Sequence, residues 1–168
     1  MKISFYSWLL FFLIVFFSNE TSAQLQNNVQ RNRQFDFWIG NWDLTWNDTS
    51  KGTNKVTLEM NDLVVYEHFN DHVNNFSGWS WSVYDTISNK WKQTWVDNQG
   101  AYLDFVGEML DNKMILERSF TSRKGKLIKQ RMIFYNITKN DFDWNWENSV
   151  DGGANWKLSW KIHYRRDH

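Results

Sequence analysis

Glu67 and His68 are the adjacent side chains in this sequence best suited to acid–base chemistry. They lie in the segment 63–69, where apolar residues occupy both faces, so the pattern leaves open which of the two points inward. A carboxylate or an imidazole inside an aromatic cavity would have a perturbed pKa, as a general base or an anion-recognition group should have. The alternative is a structural pair, for example of Glu67 with Arg131, and both interpretations stay open.

Gln93 lies between Trp91 and Trp95, and its amide is a second candidate for contact with a ligand. On a strand these three side chains share one face, whereas Lys92 lies on the other. An inward amide needs a hydrogen-bond partner. A ligand carbonyl or hydroxyl, an ordered water or a residue of a neighbouring strand would each serve.

The predicted binding site combines these groups with aromatic walls and two further ionisable residues. The ligand-binding set is Glu67, His68, Tyr84, Trp91, Gln93, Trp95, Arg131, Trp146 and Trp160. Apolar walls with a few directed polar groups are typical of pockets for small molecules. No catalytic residue is predicted.

The composition excludes several other kinds of site. The 168 residues include no cysteine, which excludes disulfides, zinc knuckles, iron–sulfur clusters and cysteine nucleophiles. The 19 basic and 19 acidic side chains balance, which argues against broad attraction to nucleic acid or to an acidic membrane. The four histidines lack the helical spacing of metal ligands, and His163 is expected on the outer face of the last strand. No metal, haem or other cofactor is predicted.

The spacing of the tryptophans predicts the elements that carry these residues. Ten of the eleven tryptophans after residue 23 form close pairs, separated by two or four residues. The pairs are Trp42/Trp46, Trp79/Trp81, Trp91/Trp95, Trp144/Trp146 and Trp156/Trp160. Residues two apart share a face in a strand and not in a helix. The pattern therefore predicts strands whose indoles point mostly inward.

Alternation of apolar and polar residues, with turn signals between the runs, extends this prediction to about ten strands. Their expected ranges are 42–47, 53–60, 63–69, 77–84, 90–96, 101–107, 113–120, 126–135, 141–148 and 155–164. Short connections favour a meander, and a closed sheet needs no proline to protect an edge. The predicted fold is all-β, an up-and-down antiparallel β-barrel with a short N-terminal helix.

The N-terminal residues are predicted to serve export rather than the fold. A positive start precedes the apolar run 3–17, which is shorter than a typical membrane span and is followed by a small-x-small pattern. We expect a signal peptide at 1–23, a polar segment or short helix at 24–34 and the barrel domain at 35–168. The mature protein would then be periplasmic or secreted, without stable membrane insertion.

Motifs along most of the chain resemble those of a known family. The run from Phe35 to Trp42 ends in Gly-x-Trp, similar to the opening motif of the calycin superfamily, which includes lipocalins and fatty-acid-binding proteins. Together with the segments 91–100 and 146–156, this run resembles the uncharacterised bacterial family filed as domain of unknown function 1579. The resemblance implies a lipocalin-like barrel and no particular substrate, because that family has no agreed one.

Two structural details are expected at the ends of the barrel. The resemblance to lipocalins implies that an arginine, Arg165 or Arg166, lies across the ring of Trp42 and closes the floor. The run from Ser149 to Trp156 is close to the Asp-box of sialidases, which is a hairpin staple. One copy in a chain of this length predicts a structural role and not a glycosidase.

The sequence favours binding of a small hydrophobic or aromatic molecule inside the barrel. One alternative is an enzyme that applies acid–base chemistry to a small aromatic or lipid-like substrate in the same cavity. The groups available to it would be Glu67, His68, Tyr84 and Arg131. The other is a structural envelope protein whose interior is filled by its own indoles. An open cavity favours binding, and a second ionisable group beside a carboxylate there would favour catalysis.

Overall fold

The computed structural model describes residues 31–47 and 50–167. The chain divides into two units, residues 1–34 and residues 35–168. The predicted signal peptide and most of the predicted N-terminal helix lie outside the described residues. A 3₁₀ helix, Asp36–Trp38, precedes the first strand. In the part of the chain that is described, no helix is long and apolar enough to span a membrane.

Ten strands make up the second unit, close to the ranges expected from the sequence. They are β1 (Gly40–Trp46), β2 (Ser50–Glu59), β3 (Val64–Asp71), β4 (Phe76–Asp85), β5 (Lys90–Asp97), β6 (Tyr102–Leu110), β7 (Lys113–Thr121), β8 (Leu127–Tyr135), β9 (Asp141–Ser149) and β10 (Lys157–Arg166). Each is antiparallel to its neighbours in sequence, and β10 pairs with β1 to close the barrel. The predicted all-β, up-and-down barrel is confirmed.

Tight turns join the strands where the sequence places Asn, Asp and Gly. Between β6 and β7, Asp111 and Asn112 have φ values of 48° and 58°, as a two-residue type I′ turn requires. At the end of β9, Ser149 Oγ and the carboxylate of Asp151 bond to one another and to turn amides, including those of Gly153 and Asn155. The predicted hairpin staple is therefore confirmed.

Aromatic side chains close the end of the barrel at which β1 begins. Phe35 is fully buried and packs edge-on against Trp91 and Phe134. The guanidinium of Arg166 lies 4.2 Å from the ring centre of Trp42 and donates to the carbonyl oxygen of Ile39 at 2.8 Å. The expected arginine across Trp42 is Arg166.

The expectation that the tryptophan pairs face inward is wrong for Trp79 and Trp81. Both lie on one face of β4, as predicted, but this is the outer face, where they are 46% and 40% exposed. The inner face of β4 carries small residues instead, including Ser80 and Ser82, which are fully buried. A Cβ on Gly78 would overlap with the ring of Trp95. The ring of Trp95 on the neighbouring strand β5 thus occupies the space that Gly78 leaves.

The predicted inward direction of Trp156 is also wrong. Strand β10 begins at Lys157, and a β-bulge lies between Leu158 and Trp160, whose partners on β9 are adjacent residues. One extra residue reverses the direction of every side chain on one side of the bulge. Trp160 therefore points inward, whereas Leu158 is 49% exposed and Trp156 packs against the guanidinium of Arg131.

Candidate functional site

A cavity of about 190 Å³ lies inside the barrel. Its walls are mainly aromatic and come from most of the strands. The lining residues are Trp38, Glu67, Phe69, Phe76, Gln93, Trp95, Asp97, Leu103, Phe105, Met132, Phe134, Trp144, Trp146, Trp160, Ile162 and Tyr164. The interior is thus not completely filled by its own indoles.

The cavity runs from the buried centre of the barrel toward the end opposite the Trp42 floor. Phe76 begins β4, Asp97 ends β5, and Trp160 lies near the start of β10, all at that end of the sheet. These three residues are half-buried, whereas Phe134 and Tyr164 on the deeper walls are buried. A ligand would therefore enter past the loops that follow β3, β5 and β9.

Glu67 is the acidic group deep in this cavity. Its side chain points inward from β3 and is only 5% exposed. Asn54 Nδ2 donates to Glu67 Oε1 at 2.7 Å, and Ser80 Oγ donates to Glu67 Oε2 at 2.5 Å. Asn54 Nδ2 also lies 3.3 Å from the hydroxyl of Tyr164. The two strands that flank β3 thus hold the carboxyl group in place with neutral partners.

Burial sets the ionisation of this cluster. It raises the pKa of Glu67 from 4.5 to about 7, and the hydrogen bonds from Ser80 and Asn54 oppose this rise without cancelling it. Burial, with the nearby charge of Glu67, also holds the pKa of Tyr164 well above its ordinary value. The tyrosine therefore stays a neutral hydroxyl, while Glu67 changes its charge near neutral pH.

Two buried polar side-chain atoms have no hydrogen-bond partner among the described residues. They are the indole nitrogen of Trp38, which lines the cavity, and Oδ1 of Asn54. Buried polar groups are satisfied in the great majority of cases. The interior of the barrel thus keeps a free donor on Trp38 and a free acceptor on Asn54, and Asn54 also contacts the ionisable Glu67.

Gln93 points into the barrel, as its spacing from Trp91 and Trp95 predicts. It is 3% exposed, and its amide nitrogen donates to Ser82 Oγ of the neighbouring strand at 3.0 Å. A neighbouring-strand partner was one of the alternatives for this amide. Because Gln93 also lines the cavity, it presents polar surface to the interior.

Asp97 is the second carboxylate of the cavity, and it lies at the entrance. It accepts hydrogen bonds from the indole of Trp95 at 3.0 Å and from the backbone N–H groups of Gln99 and Ala101. Burial alone would raise the pKa of Asp97, but these hydrogen bonds lower it below its usual value. Asp97 is therefore ionised at neutral pH and also fixes the orientation of the Trp95 ring.

The structure brings five of the nine predicted site residues to the cavity. These are Glu67, Gln93, Trp95, Trp146 and Trp160. Since Glu67 points inward, His68 points outward and packs against the exposed Trp79. The two neighbours in sequence are thus separated by the wall of the barrel.

The remaining three predicted site residues lie away from the cavity. Trp91 and Tyr84 pack against each other with ring centres 5.8 Å apart, and Trp91 also contacts Phe35 at the closed end. Arg131 pairs with Glu147 at 2.7 Å, so the ion pair of Arg131 with Glu67 considered from the sequence is not present.

Several lining residues were absent from the predicted site. Trp144 shares its face with Trp146, and Tyr164 shares its face with Trp160, so strand parity was a sufficient signal for both. Trp38 precedes the first strand, where no alternation predicts its direction. Asn54 and Ser80 bond to Glu67 from neighbouring strands, and only the register between strands reveals that contact.

The fold and the cavity define the chain as an up-and-down β-barrel with an internal, mainly aromatic cavity. Among the described residues, no group of three or more potential ligating side chains is placed to hold a metal ion.

Neither a scan against models of known protein families nor a search of curated proteins found a match. The resemblance to the bacterial family described above therefore stays a prediction.

Proposed function

We propose that this protein binds a small aromatic or otherwise largely apolar molecule inside its barrel. The observation that carries the proposal is the cavity of about 190 Å³, lined mainly by aromatic side chains with a few polar groups. Such a combination of apolar walls and few directed polar groups is typical of small-molecule sites. A structural envelope role, in which the protein's own indoles would fill the interior, fits this geometry less well.

The size of the cavity favours a ligand built around one ring. An apolar protein cavity of about 150 Å³ holds one benzene molecule, and typical pockets for larger ligands measure about 300–1,000 Å³. At about 190 Å³, this cavity fits an aromatic ring with a short substituent better than a long acyl chain. Aromatic walls also favour such a ring through edge-to-face and stacked contacts.

The groups considered for acid–base chemistry are not brought together. Glu67 lines the cavity, whereas His68 is exposed and Arg131 pairs with Glu147. The nearest titratable neighbour of Glu67 in the cavity is Tyr164, whose high pKa leaves it protonated. We therefore propose binding and no reaction.

Calorimetric titration with small aromatic compounds tests the proposal. Neutral one-ring aromatics should bind saturably at one site, and dodecanoate should bind at least about tenfold more weakly, because its chain exceeds the cavity. Leu103→Trp adds an indole at the half-buried cavity wall and should weaken aromatic binding at least about tenfold. Leu110→Trp, at an exposed position of the same strand that does not line the cavity, is the matched control.

Two results would contradict the proposal. One is the absence of saturable uptake across a chemically diverse panel. The other is uptake that Leu103→Trp and Leu110→Trp change equally, since this would place the binding site outside the barrel. Thermal unfolding of both variants shows whether each keeps the fold.

A further inference from the structure

The two carboxyl groups on the cavity wall have no cationic partner among the described residues. Glu67 and Asp97 are acidic, and none of the described residues that line the cavity is Lys, Arg or His. The ion pairs found in the described part of the chain include neither carboxylate. A ligand with a positive charge would therefore meet attraction at the entrance and again in the interior.

Glu67 has hydrogen-bonding capacity left for a ligand. Its two oxygens accept one bond each, from Asn54 of β2 and Ser80 of β4, whereas an ionised carboxylate has about four acceptor sites. The third group that faces this cluster, Tyr164 of β10, stays neutral. A buried carboxyl group without a cationic partner either takes up a proton or recruits a cation.

The aromatic walls are suited to a cation as well as to a ring. Trp95, Trp144, Trp146 and Trp160 all line the cavity. The faces of indole rings carry partial negative charge and attract ammonium groups. The volume of the cavity, in turn, accommodates one ring with a short substituent.

We propose that the ligand of the cavity is a small arylalkyl amine, whose ammonium group pairs with Glu67 and whose ring lies among the indoles. This inference rests on the proposed function and names the chemical class of the ligand. When Glu67 is protonated, binding releases its proton to solvent, and the ammonium group then bonds to the carboxylate. The affinity for amines should therefore rise with pH until Glu67 is fully ionised in the free protein.

Three probes of similar size and different charge test this inference by calorimetry. They are 2-phenylethylamine, 2-phenylethanol and phenylacetate. At pH 8 both Glu67 and the alkylamine are largely in their charged forms. We expect the amine to bind at least about tenfold more tightly than the alcohol, and phenylacetate to bind more weakly than either. Between pH 7 and pH 5 the affinity for the amine should fall by up to about tenfold per pH unit.

Glu67→Gln is the diagnostic variant, and Glu108→Gln is its matched control. The amide keeps hydrogen-bonding atoms near Asn54 and Ser80 but carries no charge. In Glu67→Gln the preference for the amine over the alcohol should disappear, while binding of the alcohol persists. Glu108 pairs with Lys90 outside the cavity, so its substitution should leave the preference unchanged.

A measurement on the unsubstituted protein tests the inference even if Glu67→Gln fails to fold. At pH 6, titrations in buffers of different ionisation enthalpy should show release of close to one proton per bound amine and none per bound alcohol.

Equal affinity for the amine and the alcohol, or an amine preference that survives Glu67→Gln, would overturn the amine inference and leave aromatic binding intact. Failure of all three probes and of the neutral aromatics to bind would overturn the proposed function itself.

Discussion

At the scale of single residues, Glu67 makes the stability of the barrel dependent on pH. Its carboxyl group is buried among neutral partners, so folding favours the protonated form. The unfolded chain exposes the same group to water, where it ionises near pH 4.5. Between pH 4.5 and about 7 the folded protein therefore binds more protons than the unfolded protein, and its stability decreases as the pH rises.

This argument predicts how Glu67→Gln changes the pH dependence of stability. The free energy of unfolding of the unsubstituted protein should fall across this window by about 3 kcal/mol relative to the variant, which has no charge to bury. Urea unfolding at pH 4.5, 6 and 8 measures the difference, with Glu108→Gln as the control. Parallel curves for the unsubstituted protein and Glu67→Gln would show that the carboxyl group is not desolvated.

The direction of Glu67 illustrates the limit of residue patterns. In β3, Val64 and Val65 are both buried, so apolar residues occur on both faces and the alternation gives no parity. Inward placement of Glu67 follows from the register, which sets it opposite Ser80 of β4. That register is a property of two strands, and no single strand encodes it.

At the scale of elements, strand positions were easier to predict than strand faces. The boundaries of β5 and β9 match the expected ranges within one residue, because alternation and turn residues are both local signals. The prediction of which face of β4 points inward was wrong, because serine between tryptophans is typical of the solvent-exposed face of a strand. The packing of Trp95 against Gly78 shows that available volume, set by neighbouring strands, decided the direction.

The hairpin between β9 and β10 gives a prediction at the element scale. Ser149 is 2% exposed, and its hydroxyl accepts a hydrogen bond from the N–H of Gly153 at 2.9 Å. Ser149→Ala leaves this N–H and the carboxylate of Asp151 without that partner, so the free energy of unfolding should fall by about 1–3 kcal/mol. Ser119→Ala, at an exposed position of β7, should change it by less than about 0.5 kcal/mol.

Urea unfolding checks this expectation, and hydrogen exchange adds the location of the change. Faster exchange should concentrate at the amides of 150–156 in Ser149→Ala. Equal unfolding free energies for the two serine variants would contradict a stapling role for Ser149.

At the scale of the whole molecule, closure joins residues from opposite ends of the chain. The pairing of β1 with β10 sets Trp42 opposite Arg166 and Leu44 opposite Tyr164. The sequence could predict this contact only through the resemblance to lipocalins, because local patterns carry no information about partners more than a hundred residues apart. The volume left inside the closed barrel is still less accessible to sequence reasoning, since it depends on all the inward side chains together.

Arg166 should therefore stabilise the barrel as a whole. Its guanidinium lies over Trp42 and donates to the carbonyl oxygens of Ile39, Phe37 and Lys139. Arg166→Ala removes one cation–π contact and three charge-assisted hydrogen bonds, so the free energy of unfolding should fall by about 2–4 kcal/mol. Arg166→Lys should recover only part of this loss, because an ammonium group lacks the planar set of donors.

The adjacent Arg165 provides the control, because it is exposed and on the outer face of the same strand. Arg165→Ala should change the free energy of unfolding by less than about 0.5 kcal/mol. Circular dichroism and tryptophan fluorescence should report the same lowered midpoint of unfolding for Arg166→Ala. The two probes should agree because separation of β1 from β10 exposes the whole aromatic interior to water. If the two arginine variants were equally stable, closure would depend on the strand pairing alone, and the guanidinium over Trp42 would be incidental to it.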